Sequence, residues 1–312
     1  MKIKPGINDV LWMAAGAAVL LVCLLVVFHF HKDQDPAAQV AFQARRVELL
    51  DRMQLDLASA AEAEKSAVLA ITDPDSLAFA DQARAAAAKV AQGRRELEEL
   101  LTAGGTQGEQ VLLAQFATAF AEFQRIDKEL LALAVKNTNL KASSLAFGPA
   151  ATALTAMNAT LSRLVAATAD SPETKSVLLL AFGAQTSALH LLTLLPPHIA
   201  EEDEKKEDEM EAVMAADDAQ VRKNLTSLAE VPQLSNNPDL VIATARYADF
   251  TKLKTQIIAL SRENTNVRSL SISLNQKRKV MLVCQDALGA LQLAILAEPI
   301  AGVTSGTPVK PR

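Results

Sequence analysis

The chain has 312 residues, 31 Lys and Arg against 36 Asp and Glu, and a formal net charge of −5. That mildly acidic balance, with no basic stripe, argues against nucleic acid as a partner, because binding it needs clustered Lys and Arg. Half of the residues are hydrophobic but only 4% are aromatic, Ala is abundant, and no Asn-Gly or Asp-Gly hairpin turn occurs, which reads as an all-α chain.

Residues 1–9 lead into an uncharged run over residues 10–28, and nineteen such residues can cross a hydrocarbon core about 30 Å thick. Trp12 sits near its start, and Lys2 and Lys4 precede it. The run is long for a signal peptide and ends without a small-residue cleavage site, so residues 10–30 are read as an uncleaved transmembrane anchor. The positive-inside rule puts residues 1–9 in the cytoplasm and the bulk of the chain outside. The expected topology is a single pass, with the bulk of the chain extracytoplasmic. Cys23 falls in the span and Cys284 in a late helix, which does not support a disulfide framework.

Pro36 opens a helical segment reaching Ile71, and Asp73-Pro74-Asp75-Ser76 breaks it and caps the next. That helix stops at Gly104-Gly105. A third runs from Glu109 at least to Phe147, where Gly148-Pro149 interrupts or kinks it, and helix resumes to Asp170. Asp170-Ser171-Pro172-Glu173 is a second capping signal, and Pro196-Pro197 is expected to end the stretch that follows. Another helix spans residues 198–230 and a last one residues 239–298; the tail, 299–312, reads as disordered. Residues 142–162 and 176–197 are also uncharged, but their Ser, Thr, Asn and Gln content reads as buried bundle helix rather than further spans.

Asn137-Thr138-Asn139 recurs as Asn264-Thr265-Asn266, and Phe123, Leu130, Leu133, Leu140 and Ser144 recur as Phe250, Ile257, Leu260, Val267 and Ser271, all 127 positions apart (264 − 137). Repeats of this kind set the architecture before any other signal. Residues 36–170 form the first helical repeat unit and 171–298 the second. Steps of four and three from Leu112 through Phe116, Phe123, Leu130, Asn137 and Ser144 to Phe147 mark a packed seam; Phe250, Ile257, Asn264, Ser271 and Leu274 repeat it. Leu50, Met53, Leu57, Glu64 and Ile71 mark another. The expected fold is two antiparallel four-helix-bundle modules, stacked and sharing long helices, with two bundles in series as the alternative.

Asn137 and Asn264 fall where Leu is expected, each with a Ser one heptad on. A buried amide needs hydrogen-bond partners. Either it fixes register, or Asn137, Asn264, Ser144 and Ser271 line a polar pocket for a small molecule. Glu64 on the first seam is a further ligand candidate, able to bind a cation or pair with Arg. The acidic run from Glu201 to Glu211 beside His198 resembles a metal patch but reads as a solvated helix start, so no metal site is assigned. No phosphate loop, zinc-protease, serine-hydrolase, dinucleotide or haem motif occurs; no catalytic residue and no cofactor are expected.

The basic start, single span and long Ala/Leu-rich helices resemble the four-helix-bundle sensor regions of methyl-accepting chemotaxis receptors. The likeness lies in EAEKSAVLAITDPDSLAFADQARAA and FAEFQRIDKELLALAVKNTNLKASSLAFGPAATALTAM, read as the second and third helices of that region. The duplication resembles the bimodular helical variant. The resemblance implies a periplasmic small-ligand sensor, usually dimeric, that signals across the membrane. The chain shows no second span, no HAMP-like linker and no cytoplasmic signalling hairpin, so signalling is expected through a protein partner. The other reading is a structural or scaffolding envelope protein that binds partners through its bundle surface.

Overall fold

The computed structural model describes residues 36–299. The anchor over 10–30, the segment before it and the tail beyond residue 299 lie outside the described residues. Those described are helical throughout, with no strand among them. The elements come in two rounds. The first is α1 (Pro36–Leu69), α2 (Asp73–Gly104), α3 (Gln107–Ala134), α4 (Thr138–Leu145), a π-helical turn (Ala146–Ala150) and α5 (Ala151–Ala167). The second is α6 (Thr174–Ala200), α7 (Glu204–Ala229), α8 (Pro238–Glu263), α9 (Thr265–Ile272), a π-helical turn (Ser273–Lys277) and α10 (Arg278–Leu296). The start of α4 and of its π turn recur 127 residues later, in α9 and its π turn.

The structure departs from the sequence reading at several helix boundaries; the helix expected over residues 239–298 breaks at Asn264, and the one expected from residue 198 starts at Glu204. The helix expected to reach Phe147 ends at Ala134, and Thr138 starts a new one. Gly148-Pro149 interrupts the α-helix, as expected, without ending it. A π turn widens it there, with the Ala151 N–H bonded to the Ala146 carbonyl, and this makes room for the proline ring. Pro196-Pro197 lies inside α6, which continues to Ala200 and buries Leu195, His198 and Ile199; that burial offsets the hydrogen bonds the prolines cannot make.

Helical contacts divide the chain into two compact units. One contains residues 36–58, 86–121 and 282–299 of those described. Its interior is lined by Leu50, Met53 and Leu57 of α1, Val90, Leu97 and Leu101 of α2, Phe116 and Phe120 of α3, and Cys284, Leu288 and Leu291 of α10. Thr106 and Glu109 close a reciprocal capping box at the start of α3, each side chain accepting the other's backbone N–H, at 2.8 and 3.2 Å. Arg46 is buried there against both oxygens of Glu109, at 3.0 Å each, and its guanidinium lies 4.6 Å from the Phe42 ring centre.

The other unit contains residues 59–85 and 122–281. In it α6 and α7 form an antiparallel hairpin closed by residues 201–203, and α5 packs along α8. Its main core takes in Leu154, Met157 and Leu161 of α5, Val177, Leu191 and Leu195 of α6, Met214, Val221 and Leu225 of α7, and Tyr247, Phe250 and Ile257 of α8. A smaller cluster joins Ala67, Ala80, Ala83, Leu130 and Leu131. Ser76, fully buried, ties this cluster together, its hydroxyl lying 3.1 Å from the carbonyls of both Ala67 and Ala134. Ser76→Ala leaves those carbonyls without it and is expected to cost about 1–2 kcal/mol, read as a lower urea midpoint at unchanged slope.

The heptad seam holds in part. Phe116, Phe123, Ile126 and Leu130 are buried as expected, but Leu112, Ala119 and Leu133 are only half-buried and Leu113, Phe120 and Ala134 replace them. A straight helix of 3.6 residues per turn drifts about 20° per heptad away from a 3.5 repeat, so the buried face slides to the next residue. Ile71 lies past the end of α1 and is exposed. Two stretches, Thr174–Ala200 and Pro238–Leu296, are long and apolar enough to cross a membrane by length and composition.

Candidate functional site

Asn137 and Asn264 each take a left-handed backbone, φ 52° and 50°, the only non-glycine residues with positive φ among those described. Asn tolerates this conformation better than most residues. At each of them one helix ends and the next begins. Neither Asn is a substituted leucine in an unbroken helix, as the seam pattern implied; each is the break itself.

The two breaks face each other in a near-symmetric clasp. The Thr138 N–H donates to Thr265 Oγ1 (3.2 Å), and the Thr265 N–H returns the bond to Thr138 Oγ1 (3.1 Å). The Asn139 N–H donates to Asn266 Oδ1 and the Asn266 N–H to Asn139 Oδ1, both at 3.1 Å. The first N–H groups of a helix have no partner within it. Neither α4 nor α9 is capped by its own preceding side chain; each copy caps the other. The side-chain amides finish the pattern. Asn139 Nδ2 donates to Asn264 Oδ1 (2.7 Å) and to the Ile199 carbonyl (2.6 Å), and Asn266 Nδ2 to Asn137 Oδ1 (3.0 Å). Asn137 Nδ2 reaches Asp73 Oδ1 (2.9 Å), and Asn264 Nδ2 the Glu201 carbonyl (2.6 Å), so the start of α2 and the turn after α6 each dock on one copy. The Asn137 bond, with Lys141, holds the Asp73 carboxyl below its usual range.

Of the other candidates, Ser144 is exposed and Ser271 half-buried, and neither bonds to the clasp. The reason is local. Past the break the buried stripe advances by fours, through Ala142, Ala146 and Ala150 in one copy and Ser269, Ser273 and Lys277 in the other, as the widened turns require. Phe147 and Leu274, the expected seam ends, therefore point outward.

Glu64 belongs to a separate buried group that sequence reasoning found only in part. It is 1% exposed, as Lys277 is 2% and Asp127 5%. Lys277 Nζ lies 2.5 Å from Asp127 Oδ1, 3.3 Å from the Phe123 carbonyl and 3.1 Å from the centre of the Phe123 ring. Burial pushes the Glu64 carboxyl up, against the pull of the Ser273 hydroxyl and the Lys277 ammonium. In the other copy Glu64, Ser273 and Lys277 are matched by Leu191, Ala146 and Ala150, which are apolar and buried, and Asp127 is matched by Lys254, which pairs with Asp218 instead, so the Asp127–Lys277 pair has no counterpart there. Lys277 was missed because the π turn moves it onto a face that a heptad count leaves outside.

Beside the clasp, an open cavity of about 430 Å³ is lined by Glu202, Glu204, Glu207, Arg262, Asn264, Val267, Arg268 and Ser271. The acidic run from Glu201 to Glu211 is thus more than a solvated face: Arg262 bonds Glu207 (3.2 Å), Asp208 (2.5 Å) and Glu211 (2.7 Å). Those partners, Glu211 and Asp208 first, raise the Arg262 guanidinium above its ordinary range. His198 is buried between Ser261 Oγ (2.8 Å) and Glu211 Oε1 (2.9 Å). Burial pushes the Glu211 carboxyl up, but hydrogen bonds from Arg262 and His198 outweigh it and leave it lowered. The Ser–His–Glu arrangement is not set for nucleophilic attack: Ser261 is fully buried and donates to the His198 carbonyl at 3.0 Å.

No family model and no curated protein matches this chain. Among the described residues no cluster of His, Cys, Asp and Glu is arranged to hold a metal ion.

Proposed function

We propose that this chain is a membrane-anchored extracytoplasmic helical sensor of chemoreceptor type, held in a bacterial inner membrane by residues 10–30. In this reading its two repeats build stacked antiparallel four-helix bundles, a small molecule binds between helices, and the change in packing passes to a protein partner or a second copy. The observation that carries it is the cavity lined by Asn264 and Ser271, set against the one place where the duplicated helices break and clasp. A ligand held there would bear directly on a two-sided hydrogen-bonded joint, and ligands act by favouring one arrangement over another. The clasp uses the donors and acceptors of all four asparagine side chains within the protein, so the ligand would meet the cavity wall rather than the clasp amides.

The test is a thermal-shift screen of the full chain against small metabolites. The expected result is a reproducible rise in Tm with at least one compound, abolished by Val267→Trp, which fills the cavity. A scaffolding role gains from exposed Leu178, Leu179, Phe182 and Leu189 on α6. It predicts a stable partner in membrane pull-downs without added ligand, and loss of that partner in Phe182→Glu.

A further inference from the structure

We infer that the outer face of α6 is the contact between two copies of this chain, α6 packing on α6 across a twofold axis. The sensor reading leaves the partner open; this inference names it and does not depend on ligand binding.

α6 carries two stripes of the same spacing. Val177, Ala181, Ala184, Ala188, Leu191 and Leu195 advance by fours and threes and are buried in the bundle core. Two residues on, Leu179, Phe182, Thr186, Leu189 and Thr193 advance by the same steps on the opposite side of the helix, and all are exposed. Leu179, Phe182 and Leu189 are 63%, 64% and 54% exposed. Alternating steps of four and three are the a and d positions of a helix pair.

The other repeat shows that the bundle does not require this second stripe. The matching face of α1 has Asp51, Arg52 and Glu62 where α6 has Leu178, Leu179 and Leu189, and those three are exposed too. Arg52 pairs there with Glu48. The same helix of the duplicated unit thus keeps a charged outer face in one copy, so its own core packing does not account for the apolar face in the other.

A second copy fits that face. From Ser176 to Ala200 α6 carries no Asp, Glu, Lys or Arg, so the stripe meets itself without opposing like charges, as a twofold contact demands. α6 has 27 residues and is about 40 Å long; with the grooves against α5 and α7, about 20 Å across, it offers about 800 Å² per copy, the size of a standard stable interface.

Sedimentation of the full chain in detergent tests this, with the wild type set against Leu179→Arg/Leu189→Glu. That double variant gives α6 the residue types that the matching α1 face already carries. The expected result is a wild-type dimer and a dissociation constant raised at least tenfold in the variant, with circular dichroism melting to check that it folds. Cross-linking is independent of that variant. In a Cys23→Ser background Thr186→Cys, at the middle of the stripe, is expected to give a disulfide-linked dimer under mild oxidation, and Glu62→Cys, on the matching face of α1, is not. A monomeric wild type, a dimer that the double variant leaves unchanged, or equal cross-linking at the two positions overturns the contact. A monomer whose Thr186→Cys is shielded from a water-soluble maleimide only in liposomes gives the face to lipid and also overturns it. The metabolite screen decides the sensor reading separately.

Discussion

Lys277→Met is expected to destabilise the protein by about 3–5 kcal/mol, because it strips one partner from a buried ion pair and leaves the other uncompensated. Lys277 and Asp127 are almost fully buried and 2.5 Å apart, and the same ammonium lies over the Phe123 ring. The π turn delivers Lys277 to this interior, and no polar side chain at the matching position of the other repeat offers a substitute. Urea unfolding of the variant measures the loss; a change within 0.5 kcal/mol would show that the site readmits water. Glu64→Gln should act the other way. Burial raises the Glu64 carboxyl, so at low pH folded and unfolded chains both hold the proton. As pH rises through the usual carboxylate range, the unfolded chain releases it first, and stability falls until the folded group also ionises. The Gln variant should match wild type at low pH and exceed it at neutral pH. Equal losses at both pH values would assign Glu64 a purely packing role.

Asn264→Leu is expected to cost about 3–5 kcal/mol, from two lost hydrogen bonds and a branched side chain forced into the left-handed region. The bonds lost are those from Asn139 Nδ2 and to the Glu201 carbonyl. Asn264→Gly separates the two causes: it loses the same bonds but accepts φ 50° without strain, so it should lie about 1–2 kcal/mol above the Leu variant. Asn137→Leu and Asn137→Gly should give the same order. If Leu proves equal to or better than Gly at either position, the break is not maintained by backbone conformation, and the helix runs through as the heptad pattern suggests.

The repeat and the all-helical composition were legible from residues alone, because a duplicated unit keeps its spacing through any fold. So were the polar positions within it: Asn137, Asn264 and Glu64 stood out as polar residues on apolar seams, and all three are buried. Their roles were not legible. A heptad count assumes an unbroken helix of constant pitch, and here the left-handed asparagines and the π turns reset the phase twice in each copy. That is why Ser144 and Phe147 fell off the seam, while Thr138 and Thr265, off the heptad positions, and Lys277, unremarkable in sequence, became central. Asn139 and Asn266, two residues past the seam positions, form half of the clasp.

The sequence by itself determined that one helical unit was used twice, and where its polar residues would have to find partners. Only the tertiary structure decided that those partners are each other. A helix start leaves N–H groups unsatisfied, and an acceptor from a segment 127 residues away satisfies them only when both breaks arrive at the same level. Spacing along the chain carries no record of that meeting. The same holds for the cavity, where Glu207 and Asn264, from different helices, line one space.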